Sequence, residues 1–147
     1  PIGLGSGICA AIAARQALGH KARIVGVVSS HAMTYADSLA TRRVVAAPVS
    51  TVLADGMACR LAEQEALDIL LQHVDHVVQV DDDAVADAMR AIFADTHNVA
   101  EGAGAAAFAA ALQERERNQG RVVGAVLSGG NVDSTMFSRV LSGASVR

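Results

Sequence analysis

Three short apolar runs alternate with longer segments of helical periodicity, and this alternation most strongly limits the possible folds. The runs cover residues 23–29, 76–80 and 121–127. Such runs, bounded by turn residues, are typical of strands buried on both faces, as in parallel sheets. Strands that alternate with helices indicate βαβ units. The sequence therefore predicts an α/β fold with a doubly wound, mostly parallel sheet and helices on both of its faces.

The helices between these runs carry recognisable end signals. Gly19 is predicted to cap the first helix, and Asp133 to cap a short last one. The aspartates of 81–83 offer N-cap side chains for a helix that reaches about Thr96. Residues 44–55 lack a regular pattern. Predicted helices cover residues 8–18, 32–42, 62–74 and 81–96, and an Ala-rich one opens at 101–104 and ends in the charged segment 113–117.

Length and composition favour a single domain over residues 1–147. A chain of this size, 52% of it hydrophobic, can bury about two-thirds of its unfolded surface. With three Phe and no Trp, it offers little surface for stacking nucleic-acid bases. A net charge of −3 provides no basic field for nucleic acid or anionic lipid. We therefore expect a small-molecule ligand and no nucleic-acid partner.

The cysteines and the apolar stretches predict a cytoplasmic protein without a membrane partner. The most apolar stretch, 103–112, is too short to span a bilayer, and no charged-then-apolar leader precedes the fold. Cys9 and Cys59 form no CxxC motif, which favours reduced, buried thiols over a disulfide.

A glycine loop, Gly3-Leu4-Gly5-Ser6-Gly7, directly precedes the first predicted helix. Its backbone N–H groups could converge on an anion, and the helix dipole would add to the attraction. A plain tight turn before a helix is an equally open alternative. Such a loop normally follows a strand, yet only Pro1 and Ile2 precede it. We therefore expect that the first strand has been cut away.

A second glycine-containing loop, Ser128-Gly129-Gly130-Asn131, follows the last apolar run. It would place a hydroxyl at the carboxyl edge of the sheet, where ligands of open α/β folds bind. A strand-to-helix turn capped by Asp133 is the structural alternative. Two such loops at the same edge favour a ligand site more strongly than either loop does by itself.

The remaining polar residues narrow the chemistry. Glu101 stands at a helix start, where the dipole alone would favour a carboxylate, and Asp55-Gly56 is a turn signal. The five histidines are scattered, so we expect no metal site. Ser29 and Ser30 stand where a dinucleotide site would carry an acidic residue. A phosphate-only ligand is therefore favoured over NAD.

Four motifs in this order and spacing resemble the C-terminal half of fold-type II pyridoxal-phosphate enzymes. The likeness covers essentially the whole chain, and within these enzymes the chain most resembles the threonine/serine dehydratases and serine racemases. Within that group, strings 1–9 and 95–102 resemble a hydroxyectoine-utilisation branch. The motifs are Pro1-Ile-Gly-Leu-Gly-Ser-Gly7, Ala54-Asp-Gly56, Glu101-Gly-Ala-Gly-Ala105 and Ser128-Gly-Gly-Asn-Val-Asp133.

The resemblance implies a cofactor, pyridoxal 5′-phosphate, and a role for each matching position. The loop amides would hold its phosphate, Ser128 would hydrogen-bond the pyridine nitrogen, and Glu101 would line the pocket near the ring. A hydroxyl at that nitrogen leaves the ring a moderate electron sink, suited to β-elimination. The predicted cofactor-binding residues are Gly3, Leu4, Gly5, Ser6, Gly7, Glu101, Ser128 and Gly129.

The implied reaction is that of an ammonia-lyase, which converts a hydroxy-amino acid to a 2-oxo acid and ammonia. In this family the Schiff-base lysine belongs to the N-terminal half, and the chain's one lysine, Lys21, follows the far end of the first helix. We therefore expect no catalytic residue and no turnover in this chain alone, and a homodimer for the full-length enzyme. Val28 and Thr34 stand where some relatives carry acidic metal ligands, so the resemblance also implies no metal site.

Two other classes of function stay open at this point. One is a non-catalytic α/β module that binds phosphate or a nucleotide through the glycine loop. The other is a structural subunit whose sheet edge pairs with a partner chain. The sequence also leaves open which hydroxy-amino acid is used, and whether elimination or racemisation follows.

Overall fold

The computed structural model describes residues 1–145 and contains most of the predicted elements. The helices agree with the predicted ranges to within a few residues, and each of the first two apolar runs forms a strand. In chain order the elements are α1 (Ser6–Ala17), β1 (Ile24–Ser29), α2 (Thr34–Thr41), a 3₁₀ turn (Asp55–Met57), α3 (Gln64–His73), β2 (Val74–Val80), α4 (Asp82–Thr96), α5 (Gly102–Gln113) and α6 (Ser134–Leu141).

The two strands form a parallel pair, and the start of the chain lies along the edge of β1 that faces away from β2. Within the pair, Ile24 lies opposite Val74 and Ser29 opposite Val80. The Ser30 amide donates to Val80, so Ser30 faces β2. The N–H and C=O groups of one strand residue point to the same edge, and those of the next residue point to the other edge. Val27 is three residues before Ser30, so its carbonyl points away from β2. It accepts a hydrogen bond of 2.8 Å from the Ile2 amide, so Ile2 leads into the glycine loop beside β1.

Helices cover both faces of this sheet, as predicted. Val27 and Val28 are neighbours in β1, and their side chains enter different cores because side chains alternate along a strand. Val27 belongs to a core formed largely by α4, α5 and α6, and Val28 to a smaller one formed with α1, α2 and α3. The α/β class with helices on both faces is therefore confirmed.

The third apolar run differs from its prediction. The sequence predicts the last buried strand over residues 121–127, but these residues form no strand, and the Val122 side chain is fully exposed. Val123, Val126 and Leu127 are exposed as well. An apolar run becomes a buried strand only when neighbouring strands cover its edges, and a cleft separates this run from β1. The run 122–127 therefore has no strand partner among residues 1–145.

The cysteines agree only in part with the sequence expectation. Both thiols are free, but Cys9 and Cys59 are half-buried rather than buried. Within residues 1–145, no helix has the length and apolar character needed to cross a membrane.

Candidate functional site

The glycine loop has the backbone shape of an anion-binding turn. Gly5 is the N-cap of α1 with φ 105°, a left-handed conformation that side-chain-bearing residues rarely adopt. The first helical hydrogen bond joins the Cys9 amide to the Gly5 carbonyl at 3.0 Å, so the amides before Cys9 have no intrahelical acceptor. The first turn contains no acidic residue. No carboxylate in this turn therefore offsets the partial positive charge at the N-terminal end of α1.

Tyr35 lies buried beneath this loop, 2% exposed. Its hydroxyl donates to the Leu4 carbonyl at 2.5 Å and accepts from the Glu63 amide at 3.1 Å. Burial raises the pKa of this phenol, which keeps it protonated and able to donate. Sequence reasoning missed Tyr35, because nothing in its neighbourhood along the chain indicates that α2 passes under residues 4–5.

The Asp55–Met57 turn lies against the glycine loop on one side and against α5 on the other. A Cβ added to Gly3 would collide with the Gly56 carbonyl, and one added to Gly56 would lie 2.9 Å from the Ala103 Cβ. Three of the four sequence motifs are therefore in direct contact. The sequence by itself identified Asp55-Gly56 only as a turn.

A buried carboxylate anchors the segment before that turn. Asp82 is 1% exposed, and its two oxygens accept hydrogen bonds from the Thr51 hydroxyl at 2.7 Å and the Val52 amide at 3.1 Å. The Thr51 oxygen in turn accepts from the Ala54 amide at 3.0 Å. Asp81 is the N-cap of α4 and accepts from an amide of its first turn, which confirms the capping expected within 81–83. Asp82 instead organises the loop that supports the site.

The fourth motif joins the others at the start of α5. The Glu101 amide donates to the Gly129 carbonyl at 3.1 Å, and the Glu101 carboxylate lies over Gly129. Gly104 also abuts the Gly129 backbone. Asp133 caps α6 through two amides, as predicted. Glu101 and Gly129, both predicted as site residues, are therefore direct neighbours.

One cleft of about 290 Å³ connects the two glycine-containing loops. It lies between β1 and the run 122–127, and both Gly7 and Ser128 line it. Of the eight predicted site residues, these two face the cleft directly. The other six are not among its lining residues: Gly3, Leu4, Gly5, Ser6, Glu101 and Gly129.

Lys21 lies away from this cleft. It borders a shallow depression formed by residues at the C-terminal end of α1, together with Arg15 and His20. The 12 residues of α1 span about 18 Å, and the glycine loop is at the opposite end. Within residues 1–145, no group of three His, Cys, Asp or Glu side chains is arranged to hold a metal ion.

Glu114, which lines the cleft, belongs to a charged cluster with Asp75, His76 and Arg117. The His76 ring nitrogens lie 2.8 Å from an Asp75 oxygen and 2.9 Å from a Glu114 oxygen, and Arg117 is 2.7 Å from Glu114. Partial burial raises the pKa of Glu114, but the hydrogen bonds from Arg117 and His76 outweigh it, so the net pKa is lowered. The hydrogen bond with His76 is the main cause that lowers the pKa of Asp75.

These lowered pKa values predict acid sensitivity. A carboxyl whose folded-state pKa is depressed stabilises the fold above its ordinary pKa, about 4, and that contribution is lost as the pH falls through the folded-state value. We expect Glu114→Gln to reduce the fall in Tm between about pH 5 and pH 3, measured by circular dichroism. Glu116→Gln, at an exposed position two residues further on, should retain the wild-type slope. Equal slopes in all three proteins would contradict this.

The fold and site together define an α/β protein with an amide-lined glycine loop and a hydroxyl-bearing loop on one cleft. The model of the family described as "Pyridoxal-phosphate dependent enzyme" matches residues 1–129. This chain belongs to that family, which confirms the family resemblance and its cofactor, pyridoxal phosphate.

Individual relatives agree with the family assignment. An L-threonine ammonia-lyase from Geobacter sulfurreducens is 37% identical over 143 residues, covering 96% of this chain and 35% of that protein. The T.th. threonine deaminase superposes with a TM-score of 0.83 at 31% identity, covering 90% of this chain and 45% of that one. Maize serine racemase gives 0.84 at 28% identity, covering 97% and 45%. The chain thus spans about a third of the length of its first curated relatives.

Proposed function

We propose that this chain forms part of a pyridoxal-phosphate-dependent ammonia-lyase that acts on a small hydroxy-amino acid. In that enzyme it would bind the phosphate and the ring nitrogen of the cofactor. The observation that carries the proposal is the single cleft lined by both Gly7 and Ser128. A ligand with a phosphate at one end and a ring nitrogen at the other requires an anion-binding turn and a hydroxyl facing one cavity. Had the two loops opened into separate cavities, one ligand could not have used both.

The residues fit the cofactor in chemical terms. The amides at the start of α1 would bind the phosphate, favoured by the helix dipole. The Ser128 hydroxyl would donate a hydrogen bond to an unprotonated ring nitrogen, and Glu101 would border the ring. When bound, the cofactor supplies an electron sink for loss of the substrate's α-proton and β-hydroxyl. The substrate would be threonine or serine, the amino acids on which the Geobacter sulfurreducens ammonia-lyase and the maize racemase act.

The lysine that bonds to the cofactor belongs, in this proposal, to polypeptide outside residues 1–147. Lys21 is at the wrong end of α1, so this chain alone is proposed to be inactive. The exposed apolar side chains of the run 122–127 support a partner segment beside it. The complete enzyme would be a cytoplasmic homodimer, and the two free thiols suit a reducing compartment.

Titration with pyridoxal phosphate tests the binding proposal. We expect weak, saturable binding that inorganic phosphate displaces, without the absorption band of a Schiff base. Ser128→Ala should weaken binding of pyridoxal phosphate but not of inorganic phosphate, whereas Ser134→Ala should change neither. A strong Schiff-base band that Lys21→Arg abolishes would contradict the proposed role of the outside lysine. If a nucleotide such as AMP bound equally well and Ser128→Ala had no effect, the non-catalytic binding module would be the better interpretation.

A chimera tests the catalytic part. The matching segment of the Geobacter sulfurreducens relative is replaced by this chain, so that the relative supplies the rest of the enzyme. We expect ammonia release from L-threonine or L-serine. A folded chimera that carries pyridoxal phosphate but releases no ammonia from either amino acid would refute the proposed activity.

A further inference from the structure

Tyr35 occupies an unusual place beneath the glycine loop. It is the chain's only tyrosine and the largest fully buried side chain among residues 1–145. Through one hydroxyl it connects α2 to the Leu4 carbonyl and to the amide of Glu63, the N-cap of α3. Both hydrogen-bond partners are backbone groups, so the phenol fixes the position of the main chain at these two residues.

The geometry of the peptide group makes this contact directional. In a trans peptide the C=O and the following N–H point in opposite directions within one plane. The Leu4 carbonyl points inward to the Tyr35 hydroxyl, so the Gly5 amide points outward. A Cβ added to Gly5 would lie 2.9 Å from the Tyr35 oxygen and 2.7 Å from the Ala66 Cβ. Tyr35 and α3 therefore support the loop at the peptide that turns into α1.

We propose that Tyr35 is a positioning residue, which holds the Leu4–Gly5 peptide so that the Gly5 amide faces the bound phosphate. This rests on the proposed function, because it requires an anion at the glycine loop. Tyr35 does not touch the ligand. It sets the direction of an amide that does, and without its hydroxyl that peptide can rotate and must be ordered again each time the anion binds.

Tyr35→Phe removes only the hydroxyl, and the chain offers a matched control in the adjacent residue. The buried Thr34 hydroxyl donates to the Cys59 carbonyl at 2.6 Å, so Thr34→Val removes a comparable bond from α2 without touching the loop. Inorganic phosphate is titrated into the ¹⁵N-labelled chain, and amide shifts of residues 3–8 are followed. We expect Tyr35→Phe to weaken phosphate binding about five- to tenfold, and Thr34→Val to remain close to wild type.

The outcomes separate this inference from the proposed function. Wild-type affinity in Tyr35→Phe, or equal weakening in both variants, would overturn the positioning role. If the wild-type chain bound neither inorganic phosphate nor pyridoxal phosphate, the proposed function would fail. In that case the Gly5 amide still reports on the inference, because its shift and hydrogen exchange in the ligand-free chain should change in Tyr35→Phe and not in Thr34→Val.

A label in the unsubstituted chain covers the case in which Tyr35→Phe does not fold. Because Tyr35 is the only tyrosine, growth with 3-fluorotyrosine places a single ¹⁹F nucleus beside the Leu4 contact. Its resonance should shift on addition of inorganic phosphate in proportion to the shift of the Gly5 amide. A ¹⁹F resonance that stays constant while the loop amides shift would overturn the inference.

Discussion

Gly104→Ala is expected to lower the free energy of unfolding by about 3 kcal/mol, the range of severe overpacking. A Cβ at this position would collide with the Gly129 carbonyl oxygen and would lie 3.0 Å and 3.1 Å from the Gly129 nitrogen and carbonyl carbon. These are backbone atoms, so no side-chain rotation can make room. The Gly129 carbonyl is also held by the Glu101 amide. The loop would have to leave α5, which would displace Ser128 as well.

A second helical glycine supplies the control. Gly7 lies in α1 with nothing within 4 Å of its added Cβ, so Gly7→Ala should raise stability by about 0.5–1 kcal/mol through helix propensity alone. Urea unfolding followed by circular dichroism measures both variants. If Gly104→Ala were as stable as Gly7→Ala, α5 would not contact the Ser128–Gly130 loop as described.

The second large effect is expected from Asp82→Ala, which should cost about 3 kcal/mol. The carboxylate is buried and accepts from the Thr51 hydroxyl and the Val52 amide. Alanine would leave both donors without a partner, and an unsatisfied buried polar group costs about 1–3 kcal/mol. Asp82→Asn should cost less, because its remaining carbonyl oxygen can still accept one of the two bonds.

Asp83→Ala is the matched control for this prediction. Asp83 is an exposed residue of the same first turn of α4, so its loss should remove only the helix-dipole contribution, about 0.3–1 kcal/mol. Hydrogen exchange of the Val52 and Ala54 amides reports on the loop directly and should accelerate in Asp82→Ala alone. Similar losses of stability in Asp82→Ala and Asp83→Ala would show that the loop does not depend on the buried carboxylate.

The elements predicted correctly are those whose signals lie within one segment. Helical periodicity, caps such as Asp133 and the apolar run of β1 depend on residues close in the chain. The positive φ of Gly5 is likewise a local property, because a glycine directly before a helix accommodates the turn at little steric cost. The resemblance of four motifs identified the family, and the structure brings these motifs into contact with one another.

The roles that the sequence did not reveal, those of Tyr35 and Asp82, depend on contacts between residues far apart in the chain. Tyr35 reaches Leu4, 31 residues away, and Asp82 reaches Thr51, also 31 residues away. Neither pairing follows a local pattern.

The run 121–127 was predicted as a strand because its residues suit one. Whether an apolar segment becomes a buried strand depends on neighbours that supply hydrogen bonds at its edges and apolar surface on its faces. Local preference therefore determined the helices, the first two strands and the glycine turn, whereas contacts between distant segments decided the buried polar anchors and the state of the last apolar run.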